Sequence, residues 1–159
     1  MEIENNNKNT QIQKEGVHKL LAHSHAMQFV LFIFGFCLDL IFGVKFFTGP
    51  AFLWTGLLFL VLGTILIFWA QYTSHHLNRE NITKESFSKG PYRYIKNPTN
   101  WGIFFMIVGF GVITNSFFVI LFGIISSLIA KFVFLNKEEK ILTAKYGDPY
   151  LEYRKSVRF

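Results

Sequence analysis

Four apolar stretches divide this chain, and polar or basic segments separate them in a regular order. The first stretch covers 27–47 and the second 51–72. As helices, each reaches roughly 30 Å, the thickness of a bilayer's hydrocarbon core. Thr48-Gly49-Pro50 is a turn by composition, so these two form an antiparallel hairpin. The third and fourth stretches, 98–113 and 117–135, are shorter, and Thr114-Asn115-Ser116 joins them. They sit at the lower length limit for spans, which leaves tilted helices or a re-entrant hairpin open. The pattern predicts an all-α integral membrane fold of four transmembrane helices arranged as two hairpins.

The flanks refine that picture. Residues 1–16 are rich in Asn, Lys, Gln and Glu, and are expected to be disordered. The segment 17–26 is compatible with a short interfacial helix, giving a polar N-terminal region of 1–26 ahead of a single domain at 27–159. No short apolar region with a small-residue cleavage site opens the chain, so the first stretch is read as a retained span. A polar loop covers 73–96. After the fourth stretch, a helix is expected over 137–145, ending near Gly147, whose lack of a Cβ suits a position just past a helix end. Asp148-Pro149 then has the pattern of a cap followed by Pro at the first helical position. Tyr150, Tyr153 and Val157 fall three and four residues apart and form one apolar face. This amphipathic tail should lie on the membrane or fold back over the neighbouring segments.

Charge sets the orientation. The chain carries 16 Lys and Arg against 10 Asp and Glu, and nearly all the basic residues lie in the N-terminal segment, the central loop and the tail. The two short turns carry none. The positive-inside rule then places both termini and the central loop in the cytoplasm. The net charge of +6 reads as attraction to anionic lipid, not to nucleic acid. One cysteine, Cys37, cannot form an internal disulfide, and no Cys or His cluster has metal-site spacing, so no metal is expected. Asn81-Ile82-Thr83 has the glycosylation pattern, but the cytoplasmic side makes its use unexpected.

The candidate chemistry lies beside the second hairpin. Both polar segments that bracket it return to one side of the bilayer, so groups far apart in sequence can meet. Asn97-Pro98 is first a capped helix start. The same geometry offers free N–H groups and a positive dipole end to a carboxylate or phosphate. Glu138 and Glu139 follow the last stretch. They read either as a solvated acidic pair or as a carboxylate for a cationic amine or a ribose hydroxyl. Lys131, seven residues before Glu138 and on about the same helical face, either snorkels to the interface or binds a substrate. Asp39 and Lys45 in the first stretch suit snorkelling or helix–helix bonding. Gly109-Phe110-Gly111 is packing in an apolar span rather than a phosphate loop.

Two segments also resemble a known family. Gly90-Pro91-Tyr92-Arg93-Tyr94-Ile95-Lys96-Asn97-Pro98-Thr99-Asn100-Trp101-Gly102 is similar to the G-P-Y-R-Y-(V/I)-R-(H/N)-P-x-Y-x-G segment of the isoprenylcysteine carboxyl methyltransferases and related phospholipid methyltransferases. The tail, with Glu138, Glu139, Leu142, Tyr146, Gly147, Tyr150, Tyr153 and Val157 in order, resembles that family's E-E-x-x-L end. The resemblance covers 90–159 and implies a methyltransferase using S-adenosylmethionine at the cytoplasmic interface, with a small or lipid-like acceptor entering between the helices. It implies that Asn97, Pro98, Thr99, Asn100 and Glu138 bind the cofactor, with Lys131 left as the substrate-binding candidate. No catalytic residue is assigned. The chain departs from the pattern at Asn97, where His is usual, and at Asn100, where Tyr is usual. Asn136 and Lys137 stand near the place of a frequent Arg. An NADPH-dependent membrane reductase of the sterol-reductase type, which carries a similar segment, is the alternative enzyme. A non-catalytic relative is the third reading.

Overall fold

A computed structural model describes residues 2–45, 49, 51–75 and 88–157, with side chains from residue 19 onward except at Lys145. The Asn81-Ile82-Thr83 pattern, most of the first turn and the terminal Phe159 lie outside the described residues. The described elements are all helical: α1 (Glu2–Phe42), α2 (Ala51–His75), a 3₁₀ turn (Gly90–Arg93), α3 (Pro98–Ile113), α4 (Phe117–Ile129), a π-helical segment (Ala130–Leu135), α5 (Asn136–Tyr146) and α6 (Asp148–Ser156).

Among the described residues, three helices are long and apolar enough to cross a membrane. They are Lys19–Phe42, Ala51–His75 and the continuous helix Phe117–Ala144. Within the last of these, the apolar part ends at Leu135 with Lys131 its one charged residue, and a charged run begins with Lys137. Helix α3 has the boundaries that the sequence predicts, but its 16 residues cover only about 24 Å.

The hairpins differ from expectation at two places. Residues 2–26, read from sequence as a disordered tail and a separate short helix, continue α1 in the structure. No proline interrupts them, and extending an existing helix adds a hydrogen bond per residue without a new nucleus. The first apolar helix also stops earlier than 47, at Phe42, because Gly43 turns to a positive φ of 60°.

Small residues set the packing. Helix α2 lies antiparallel on α3 with two glycine pairs in contact. A Cβ on Gly63 would come within 2.6 Å of the Gly102 carbonyl oxygen, and one on Gly56 within 2.8 Å of that of Gly109. Such a stripe lets two backbones touch where lipid tails compete with side chains for apolar contact. The expected packing role of Gly109 is thereby observed. Helix α1 runs antiparallel to α4, with Phe34 edge-on to Phe122 at 5.1 Å and Gly35 against the Phe118 carbonyl.

At that end of the bundle, Asp39 of α1 caps α4 from outside. Its carboxylate accepts the N–H groups of Phe118 at 3.1 Å and Val119 at 2.9 Å. Ser116, at the ordinary cap position, makes no such bond. Lys45 donates to the Thr114 carbonyl oxygen at the end of α3. The helix–helix bonding read for Asp39 and Lys45 is therefore what the structure holds. Because helices consecutive along the chain are antiparallel, residues near 20–28, 63–75, 90–102 and 131–157 gather at the opposite end.

Candidate functional site

At that gathered end, Gly90 opens the first motif with a φ of 56° and presses on the Thr73 side chain of α2. A side chain here would be strained and blocked, so glycine fixes the approach of the loop to α2. Pro91 is buried in the following 3₁₀ turn. The Tyr92 phenol sits between the Ser74 and Thr99 side chains, and burial, then the nearby Glu138 charge, push its pKa up.

Asn97 then performs two tasks. Its Oδ1 accepts the Asn100 N–H at 3.2 Å, the cap that the sequence predicts. Its Nδ2 donates to Glu138 Oε2 at 3.3 Å, across 41 residues of chain. The bracketing segments therefore do meet, and Asn97 is one of the points where they touch. Pro98 is fully buried at the first helical position, and Thr99 turns to Tyr92. Neither borders the cavity described next.

A cavity of about 310 Å³ lies between the start of α3 and the end of α4. Asn97, Asn100, Lys96, Ser127 and Lys131 supply its polar lining, and Trp101 and Phe104 supply aromatic surface. Of the sequence-predicted residues, Asn97, Asn100 and Lys131 thus share one cavity, and Glu138 joins through its bond to Asn97. The π-helical segment carries Lys131 and Leu135 on the cavity wall. Such widened turns recur in helices at functional sites.

The two glutamates have different surroundings. Glu139 is buried and held by Lys96 at 3.4 Å and by Arg154 of α6 at 2.9 Å. Glu138, half-buried and beyond the apolar part of its helix, has no cation within ion-pair distance among the described residues. Burial, and then the charge of Glu139, push its carboxyl up to about 7. A carboxylate in this position favours a cationic ligand over remaining ionised alone.

The tail closes the other side. Tyr150, Tyr153 and Val157 form a buried cluster with Tyr92, Leu142 and Tyr146, and the Tyr153 hydroxyl donates to the Tyr92 carbonyl oxygen at 2.9 Å. Of the two placements open from the sequence, the tail folds back. Burial raises the pKa of both Tyr150 and Tyr153, with the glutamate charges adding to it. Helix α6 begins one residue earlier than expected, with Gly147 as its cap at φ 60°.

One site residue escapes the sequence reading. Gln28 of α1 is 2% exposed, and its Nε2 donates to Asn100 Oδ1 at 2.6 Å. Its Oε1 is buried without a partner. Gln28 also borders a second, almost wholly apolar cavity of about 460 Å³, lined by Phe29, Phe32, Met106 and Phe110 among others. An amide within an otherwise apolar run was the available signal, but nothing in the sequence shows that it meets Asn100, 72 residues away.

The residues fit S-adenosylmethionine in kind. Glu138 suits an ammonium, the Asn97 and Asn100 amides suit polar edges, and Trp101 and Phe104 offer rings to a base. The start of α3 fits less well than expected as a carboxylate seat, because Asn97 already takes the Asn100 N–H.

Comparison with curated proteins and with solved structures gives no match. Comparison with protein families matches residues 51–149 to the phospholipid methyltransferase family. The match runs from the start of α2 through α5, and so takes in both hairpin-flanking motifs as far as Pro149. Since it covers more than half of the chain, this protein belongs to the phospholipid methyltransferase family.

Proposed function

We propose that this protein is a multi-pass membrane methyltransferase that uses S-adenosylmethionine to methylate a lipid-like acceptor at the cytoplasmic interface. The observation that carries this reading is the meeting of Asn97 with Glu138 beside a cavity that also holds Asn100, Trp101 and Lys131. Four spans are proposed, with α3 crossing at a tilt or with local thinning of the bilayer to make up its short length. The gathered end then faces the cytoplasm, a reading that the concentration of basic residues supports.

Bound in the cavity, S-adenosylmethionine would supply an electrophilic methyl group on a sulfonium sulfur. The chain's own residues then have separate tasks. Glu138, ionised, holds the ammonium, and Asn97 keeps that carboxylate aimed through its amide. Trp101 and Phe104 cover the base and exclude water. Lys131 attracts an anionic part of the acceptor, such as a phosphate or carboxylate. A hydrocarbon chain of the acceptor occupies the apolar cavity beside Gln28. The Gln28–Asn100 bond links that cavity to the polar one, so the acceptor's head lies near the cofactor residues. Methyl transfer between aligned groups in a dry site gains mainly from positioning and desolvation, which suits a site with no assigned acid or base.

Equilibrium binding to the purified chain in detergent tests this reading. S-adenosylmethionine is expected to bind in the micromolar to millimolar range, with Glu138→Gln weakening it about tenfold or more. No binding at millimolar cofactor, or retention of NADPH in its place, would overturn the proposal.

A further inference from the structure

Away from this site, α1 and α5 enclose a groove of about 580 Å³ at the same end of the bundle. Lys19 and His23 border it from α1, Lys137 and Lys140 from α5, and Phe134 and Ile141 contribute apolar surface. Helix α5 is thus two-sided. Glu138 and Leu142 face the motif and the tail, while Lys137 and Lys140 face α1. Both lysines are exposed, and neither lies within ion-pair distance of a carboxylate among the described residues. Just before them, Phe132 and Val133 are 64% and 42% exposed on a helix apolar enough to cross a membrane.

We propose that this groove binds the phosphate headgroup of an anionic phospholipid in the surrounding leaflet. Two features select that ligand. The Lys137 and Lys140 ammoniums converge on one opening beside Lys19 and His23 of α1, and both can donate to phosphate oxygens. Phe134 and Ile141 give the groove apolar surface, and Phe132 and Val133 are exposed on the same helix, which suits acyl chains and gives a free phosphate nothing to cover. Basic pockets between helices at a membrane surface recognise anionic headgroups by this combination of charge and depth. The bound headgroup would bridge α1 to α5 and so hold Gln28 against Asn100. This inference does not depend on methyl transfer.

The test uses the purified full chain in detergent with equal amounts of phosphatidylglycerol and phosphatidylcholine, and retained lipids are counted by native mass spectrometry. Phosphatidylglycerol is expected to be retained in preference, and the Lys137→Gln/Lys140→Gln variant to lose that preference by about fivefold or more. A charge-matched control, Lys89→Gln/Lys155→Gln, should keep it. Equal loss in the control, an unchanged preference in the double variant, or displacement of the lipid by millimolar inorganic phosphate would each overturn the proposal. Circular dichroism of both variants checks that the exposed substitutions leave the helices intact.

Discussion

Asn97 carries two hydrogen bonds of different character, and substitutions can separate them. Asn97→Ala removes the cap on the Asn100 N–H, worth about 1 kcal/mol. It also removes the donor to Glu138, worth about another 1 kcal/mol, because the 3.3 Å bond is long for a charged acceptor. A loss of about 2 kcal/mol lowers the melting temperature of a chain this size by about 4–8 °C. Asn97→Asp keeps the capping oxygen but sets a second carboxylate against Glu138. Two full charges at that distance repel by at most about 5 kcal/mol at an effective dielectric of 20. Glu138 already binds its proton up to about pH 7, so that repulsion depends on pH. At pH 6 a protonated Glu138 can donate to the introduced carboxylate, and the variant should melt close to wild type. At pH 8 it should melt well below. Melting curves in detergent at the two pH values decide the matter, and parallel behaviour of Asn97→Asp and wild type at pH 8 would refute the placing of Glu138 beside residue 97.

Other substitutions probe the scaffold. Gly63→Ala forces a Cβ to within 2.6 Å of the Gly102 carbonyl oxygen, so α2 and α3 must part, at about 1–3 kcal/mol read from thermal unfolding. Asp39→Ala strands the Phe118 and Val119 N–H groups and should cost about 2–4 kcal/mol, whereas Asp39→Asn, keeping one acceptor, should lose about half of that in the same measurement. Glu139→Gln leaves Lys96 and the half-exposed Arg154 without their carboxylate and should cost about 1–3 kcal/mol, with faster proteolysis of the tail. Glu138→Gln should act in the opposite sense. The Glu138 pKa is raised on folding, so the stability it contributes is present below its ordinary value of 4.5 and is lost as pH rises to about 7. The variant should therefore gain on wild type across that window in ligand-free melts.

Hydropathy and turn chemistry made the helices legible. The bounds of α3 and the start of α4 follow from Asn97-Pro98 and from the Thr114-Asn115-Ser116 turn, because capping is local and its residues are few. The tail's buried face was equally readable from the spacing of Tyr150, Tyr153 and Val157. The first helix was not, because a polar sequence without breakers reads as disorder until an adjoining apolar helix extends into it. Within the site, Asn97 and Glu138 were visible as motif residues, but their contact depends on how the hairpin folds. Gln28 stayed hidden for the same reason. Its role comes from α1 packing beside α3, a long-range arrangement that no periodicity in either helix encodes. The split between Glu138 and Glu139 was also out of reach, since adjacent residues differ only in which side of α5 meets Lys96 and Arg154.

Transfer of an isotopically labelled methyl group tests the central claim most directly. Membranes containing the full chain are supplied with S-adenosylmethionine labelled in its methyl group, and the extracted lipids are analysed by mass spectrometry. The account predicts label in a lipid fraction with wild type, and a loss of about tenfold or more with Glu138→Gln at subsaturating cofactor. Cofactor binding without any labelled lipid, or equal labelling by Glu138→Gln, would contradict it.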